Sequence, residues 1–257
     1  MINSVLDFYE QLSSNYHLIF ADWQKSVLQQ AMVLDRLIRS EMRQFPLTVL
    51  DCSCGIGTQA IGLAKRGYQV HATDLSPAAV KRAKEMAESF GVSLTFGVAD
   101  LRTLDIEVDG EFDVVISCDN ALPHLLSNDD LHLAANNLWS KLKPNGLLIA
   151  SIRDYDQAIQ EKPRSTMPEV LDGAEQRRII FQAWDWSDEG NIYQVHHFIV
   201  QEIEGSWQTQ HYTTQYRALL RHELSEILEN AGFTDIRWLM PEASGYYQPI
   251  VIGRKKK

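Results

Sequence analysis

The spacing of hydrophobic positions changes twice along this chain. Up to residue 45 it is helical with an interruption: Val27, Ala31, Leu34, Leu37 and Ile38 fall on one face, and Pro46 ends the run. From there to residue 153, short apolar runs alternate with helical stretches. Runs at 48–50, 68–74, 94–98, 112–118 and 147–152 predict five strands. Helices are predicted from near Thr58, from Ser76-Pro77 as N-cap and first-turn proline, and from Asn128 as cap; Gly67 and Gly91 close the first two. Lys143-Pro-Asn-Gly146 reads as the turn before the fifth strand. Strands and helices in this alternation predict an α/β fold, a Rossmann-like, mostly parallel sheet covered on both faces.

Beyond residue 153 the period falls to two. Residues 179–186, 191–204 and 207–216 alternate polar and apolar side chains around turns at 188–191 and 204–206, which predicts an antiparallel meander inserted into the α/β domain. The Pro-rich and polar stretch 161–174 predicts a loop. A helix is predicted at 222–231, ended by Gly232, then strands at 235–240 and 249–253. The expected organisation is one domain over 1–257, with a helical flap at 1–45 and an antiparallel cap at 154–217. The aromatic stretch from Tyr16 to Trp23 suits either a helix packed on the sheet or a flap over a small ligand, and spacing leaves both open.

Composition narrows the function classes. At 257 residues, 45% hydrophobic and 23% charged, the chain has ordinary globular proportions. Its net charge of −10 argues against wrapping nucleic acid through phosphate neutralisation. No apolar run approaches the roughly 20 residues that span a bilayer. The first ten residues lack a basic region followed by an apolar one, so no secretory signal is expected. Three cysteines are too few for a disulfide framework and lack zinc-site spacing. The expectation is a cytoplasmic protein without a metal or membrane partner, with homo-oligomer formation left open. The basic tail Arg254-Lys-Lys-Lys257 reads as frayed and solvated.

Candidate chemistry gathers at Thr48-Val-Leu-Asp-Cys-Ser-Cys-Gly-Ile-Gly57. Gly55-x-Gly57-x-x-Ala60 fits a nucleotide-binding turn at the carboxyl end of a strand, where open α/β sheets bind ligands. Asp51, Asp74 and Asp100 end three successive strands on that edge. Asp74 follows Asp51 by 23 residues, near the roughly 20-residue spacing at which an acid reaches ribose hydroxyls. Asp51 then suits an ammonium group and Asp100 an adenine amino group. A nicotinamide-dependent oxidoreductase would use the glycine turn and Asp74, but it does not call for Asp51 and Asp100 together.

The glycine turn, Asp74, Ala99-Asp100 and Leu142-Lys-Pro-Asn-Gly146 together resemble the motifs of class I S-adenosylmethionine-dependent methyltransferases. Ser53 departs from that family's usual glycine. The resemblance implies a seven-stranded sheet with one antiparallel strand at its end and S-adenosyl-L-methionine as cofactor. The cofactor residues it marks are Asp51, Cys52, Gly55, Gly57, Asp74, Leu75, Asp100, Leu101, Cys118 and His124.

Asp119-Asn-Ala-Leu-Pro-His-Leu125 and Arg153-Asp-Tyr155 are similar to stretches of glycine and sarcosine N-methyltransferases. That likeness implies that Arg153 holds a substrate carboxylate and Asn120 lies beside the reacting amine. Physically, Arg153 offers a planar fork for a carboxylate, unless it pairs with Asp154 or Asp156. His124 is either a core histidine or a cofactor contact. Tyr16, Trp23, Tyr216 and Tyr247 are candidates for the acceptor site, each with packing as its alternative. The expected activity is N-methylation of a small carboxylate-bearing amine; another small acceptor, an oxidoreductase and a non-catalytic cofactor-binding module are the alternatives.

Overall fold

A computed structural model describes residues 4–45, 47–172, 177–188 and 190–256. The expectations resting on residues 1–3, Pro46, residues 173–174 of the polar loop, Glu189 and Lys257 lie outside them. Helix α1 (Val5–Leu12) opens with a capping box, in which the Ser4 hydroxyl accepts from Asp7 N while the Asp7 carboxylate accepts from Ser4 N. A 3-10 turn at Tyr16–Ile19 leads to Asp22, whose carboxylate accepts from Lys25 N at 2.9 Å and starts α2 (Trp23–Glu41).

The alternating part follows as β1 (Thr48–Asp51), α3 (Thr58–Lys65), β2 (Gln69–Asp74), α4 (Pro77–Phe90), β3 (Thr95–Val98), α5 (Leu104–Glu107), β4 (Phe112–Ser117), α6 (Asn128–Ser140) and β5 (Leu142–Ser151). Then come α7 (Tyr155–Glu161), β6 (Glu169–Leu171), β7 (Arg178–Trp186), β8 (Ile192–Ile203) and β9 (Ser206–Arg217). The chain ends with α8 (Arg221–Asn230), β10 (Phe233–Leu239), α9 (Pro241–Ser244) and β11 (Ile250–Lys255).

The main sheet has seven strands in the order β10-β11-β5-β4-β1-β2-β3. Strand β11 runs antiparallel to both of its neighbours, while β5, β4, β1, β2 and β3 pair in parallel. The antiparallel strand therefore lies one position in from the edge and not at it, because β10 adds outside β11. Val49, Leu50, Val114–Ile116 and Leu147–Ala150 are completely buried, as expected of strands covered on both faces.

Local details differ from the sequence reading. Ser127, not Asn128, caps α6: its Oγ accepts from Asp130 N at 3.1 Å, and Asn128 is the first helical residue. Lys143–Gly146 does not end a pairing but sits inside β5 as an irregularity, with Asn145 at φ 64°. The predicted loop at 161–174 contains β6, which pairs with β7. Helices α5 and α7 have four and seven residues, too few for a hydrophobic period to register.

The second sheet, β6-β7-β8-β9, is antiparallel throughout. One end of its inner face packs Leu171, Ile180, Ile199 and Tyr212 against Phe8, Leu12 and Leu18. The rest, including Trp184, Tyr193, Val195 and Tyr216, joins the core around β4 and β5. Buried Arg178 fastens the sheet to the N-terminal segment through Leu18 O at 2.8 Å and Phe20 O at 2.6 Å.

Candidate active site

The carboxyl ends of β1 and β2 meet at the glycine turn. Gly55 has φ 52°, and a Cβ there would meet nothing within 4 Å, so its backbone is open to a cavity of about 520 Å³. Gly57 does different work. It caps α3 at φ 93°, and a Cβ would lie 2.7 Å from Ile61 Cδ1; it is a packing glycine off the cavity wall, not the contact expected. Asp74 braces the turn: its Oδ2 accepts from Gly55 N at 2.8 Å and its Oδ1 from Ser76 N at 3.0 Å. Each oxygen keeps a further lone pair.

Asp51 is completely buried. Its Oδ1 accepts a long bond from Ser53 N at 3.4 Å, and its Oδ2 has no protein partner. Burial first, and then the neighbouring Asp74 and Asp119 charges, push its pKa up to about 8 against the opposing Ser53 bond. Asp100 is the opposite case. Its carboxylate is forked by Arg102, with Nη2 to Oδ2 at 2.6 Å, and those bonds outweigh burial and hold it below its ordinary range. It lines the cavity with Leu75, Leu101, Cys52 and Cys118. Both thiols are pushed up by burial. Among the described residues no group of three or more His, Cys, Asp or Glu is arranged to hold a metal.

A second cavity of about 700 Å³ adjoins the first; Tyr9, Tyr16 and Asp119 line both. Asn120, Arg153, Tyr216 and Tyr247 line the second. The ends of β4 and β5 are stitched together here: Ser151 Oγ accepts from Asp119 N at 2.8 Å, and Asn120 Oδ1 accepts from Arg153 N at 3.0 Å. Asp119 and Asn120 adopt φ 59° and 71°, a left-handed backbone that costs energy outside glycine and gathers at functional sites. The Asp119 carboxylate accepts from Gln59 Nε2 at 2.7 Å and Tyr246 OH at 2.6 Å. Asn120 is 2% exposed, and its Nδ2 has no partner.

Arg153 donates through Nη1 to Tyr193 OH at 3.1 Å and through Nη2 to Gln182 Oε1 at 3.2 Å. The Trp184 and Tyr216 rings lie 4.9 and 5.3 Å from its guanidinium carbon. Asp154 and Asp156 both pair with Arg221 instead, and among the described residues Arg153 has no carboxylate partner. His124 lies on the first cavity with Nε2 2.9 Å from Tyr9 OH; burial pushes its pKa down to about 3, so it is neutral.

Trp23 falls outside both cavities. It is 6% exposed, packs with Val27, Ile56 and Ile61, and donates through Nε1 to Thr58 Oγ1 at 3.0 Å, so its site is the core beneath α3. Tyr247 is 57% exposed at the cavity edge. The sequence reading passed over Tyr9, Gln182 and His197, and it gave Asp119 and Tyr246 only as members of motif stretches without a role at the site. His197 did carry a signal, since it shares the inward parity of Tyr193, Val195 and Ile199 along β8.

A family model described as a methyltransferase domain matches residues 49–146. YqeM of Bacillus subtilis is 28% identical over 190 residues, 72% of each chain. A glycine/sarcosine N-methyltransferase of Parasynechococcus marenigrum is 32% identical over 139 residues, covering 54% of this chain and 48% of that protein. A tRNA 5-carboxymethoxyuridine methyltransferase of Escherichia coli is 35% identical over 127 residues, 48% of each. The chain thus spans about half the length of the latter two. Among solved structures, an S-adenosylmethionine-bound amino pentose methyltransferase from Micromonospora echinaspora shares the fold at TM-score 0.72 and 16% identity, over 90% of this chain and 92% of that one.

The residues present fit this cofactor. Asp51 Oδ2 is a buried acceptor without a partner, Gly55 leaves its backbone open, and Asp74 retains acceptor capacity beside it. Fold, domain match and strand-end acids agree on an S-adenosylmethionine-dependent methyltransferase, with the methyltransferase domain itself at residues 49–146.

Proposed function

We propose that this protein methylates the amine of a small acceptor carrying a carboxylate, with glycine and sarcosine first in line. The observation that carries the reading is Arg153: a half-buried guanidinium without a carboxylate partner among the described residues, in a cavity that adjoins the cofactor cavity. A desolvated arginine is a strong recognition group for a two-oxygen anion. The similarity to glycine/sarcosine N-methyltransferases supports the same reading.

S-adenosylmethionine, when bound, supplies an activated methyl group. The chain's own residues bind and orient. Asp51, Gly55, Asp74, Leu75, Asp100, Leu101 and Cys118 hold the cofactor. Arg153 fixes the acceptor's carboxylate, and Asn120 lies beside the reacting amine. Tyr9, Tyr16 and Tyr216 exclude water between the cavities, which favours an uncharged amine and an aligned approach. In this reading residues 1–45 act as a flap and residues 154–217 as a cap over the strand ends. The buried free thiols support a reducing compartment such as the cytoplasm.

A second reading, an amine on a larger scaffold, is favoured by the cavity of about 700 Å³, a size that holds drug-like ligands. Isotope-labelled S-adenosylmethionine incubated with a panel of amino acids, simple amines and amino sugars decides. Label in glycine or sarcosine is the expected result; a best acceptor without an anion overturns the carboxylate reading.

A further inference from the structure

His197, on β8, is 7% exposed and lines the same cavity as Arg153. Its Nδ1 lies 3.0 Å from Gln182 Nε2. The Gln182 carbonyl oxygen accepts from Arg153 Nη2 at 3.2 Å and from Trp184 Nε1 at 3.0 Å. Guanidinium and indole nitrogens only donate, so the amide end facing them is the oxygen and the end facing His197 is the NH2. An NH2 donates, so Nδ1 accepts, and the proton of the neutral ring sits on Nε2. Burial first, and then the Arg153 charge, push the ring's pKa down to about 4 and keep it neutral near pH 7.

Nε2 is buried without a protein partner. Asn120 repeats the arrangement, since its Oδ1 is taken by Arg153 N and its Nδ2 is buried and unpartnered. Two carboxylates, Asp119 and Glu169, also line this cavity and repel an anion placed against them, and that of Asp119 is engaged by Gln59 and Tyr246.

We propose that His197 Nε2–H is a second anion-recognition group, held as a donor by the Arg153–Gln182–His197 chain, and that it fixes the second oxygen of the acceptor's carboxylate. The inference rests on the carboxylate reading of the acceptor and adds a specificity-determining residue to it.

Proton–nitrogen correlation spectra of histidine-labelled protein read the tautomer, with the His197 signals identified by their loss in His197→Phe. Nε2 should be the protonated nitrogen from pH 5.5 to 8, and acetate should move its signal. His197→Phe keeps a ring but removes the donor, so KM for glycine and sarcosine should rise about tenfold, from the loss of one hydrogen bond to a charged group. His197→Gln, which retains an NH2, should recover part of that. Ethanolamine, an amine without a carboxylate, should respond equally little to either variant. A proton on Nδ1, no response to acetate, or equal changes for glycine and ethanolamine overturns the proposal. Wild-type protein that answers to acetate but methylates neither glycine nor sarcosine upholds His197 as an anion group and overturns only the choice of acceptor.

Discussion

At Asp51 burial and ligand charge work against each other. With a pKa of about 8 the folded carboxyl keeps its proton at neutral pH, whereas the unfolded chain, near ~3.9, has lost it. Folding therefore takes up a proton between those values. The stability from this group is complete below about pH 4 and disappears as pH rises through about 8. The cofactor-free protein should lose Tm between pH 5 and 8 more steeply than Asp51→Asn, which cannot ionise; equal slopes would remove Asp51 from the account. An ammonium placed against Oδ2 favours the ionised form, so cofactor binding at pH 6.5 should release roughly one proton, absent in Asp51→Asn. Calorimetry in buffers of different ionisation enthalpy measures it.

Asp74→Ala should weaken cofactor binding by about 1.5–3 kcal/mol per charge-assisted bond lost, because it also frees Gly55 N. Arg153→Lys keeps the charge but not the fork, and should raise the acceptor's KM and lower kcat with cofactor affinity intact. Unchanged turnover would make Arg153 structural. These positions were legible because a strand's carboxyl end can be read from an apolar run and the polar residue closing it. Trp23 was misplaced for the converse reason: an aromatic stretch signals burial but not which surface it is buried against.

Helix α1 contributes to the walls of both cavities. Ser4, Val5, Leu6 and Tyr9 line the first, and Phe8, Tyr9 and Leu12 the second. Glu10 ties the helix to the start of α4: its Oε1 accepts from Ser76 Oγ at 2.6 Å and from Ala78 N at 3.0 Å, where a negative charge suits the helix dipole. Glu10→Ala should cost the fold about 0.3–1 kcal/mol, yet it should speed cofactor release and raise amide exchange in α1 while α4 stays protected. Stopped-flow release and exchange mass spectrometry test this; unchanged release would mean that α1 does not gate the cavity. Among the long elements, α2 and β7–β9 were readable because each repeats its period several times, and α4 because Ser76-Pro77 and Gly91 mark its ends. Helix α7 and strand β6 repeat theirs once or less, and α7 depends on a cap supplied by Asp154, so tertiary contact decides them. The order of β10 and β11 was hidden as well, since pairing between distant strands leaves no local trace.

Over the whole molecule, charge and shape bear on what is methylated. A relative modifies a tRNA base, so a polynucleotide acceptor must be weighed against a free amine. Polynucleotide binding draws most of its affinity from neutralised phosphates, and this chain carries 24 Lys and Arg against 34 Asp and Glu. Many of the basic groups are already committed: Arg102 to Asp100 and Asp130, Arg221 to Asp154 and Asp156, and Arg254 to Glu41. Arg153, in contrast, lies within a cavity where a side chain or small molecule fits but a phosphate backbone gains no row of cations. A flipped base remains a geometric alternative, but it would still need that backbone held outside. Bulk tRNA should therefore bind only weakly even at about 50 mM salt, where phosphate-driven binding is strongest, and it should neither take label from S-adenosylmethionine nor compete with glycine. Salt-sensitive tRNA binding together with labelled tRNA would reverse that choice, and would make Arg153 a reader of a modified base's carboxylate instead of a free acceptor's.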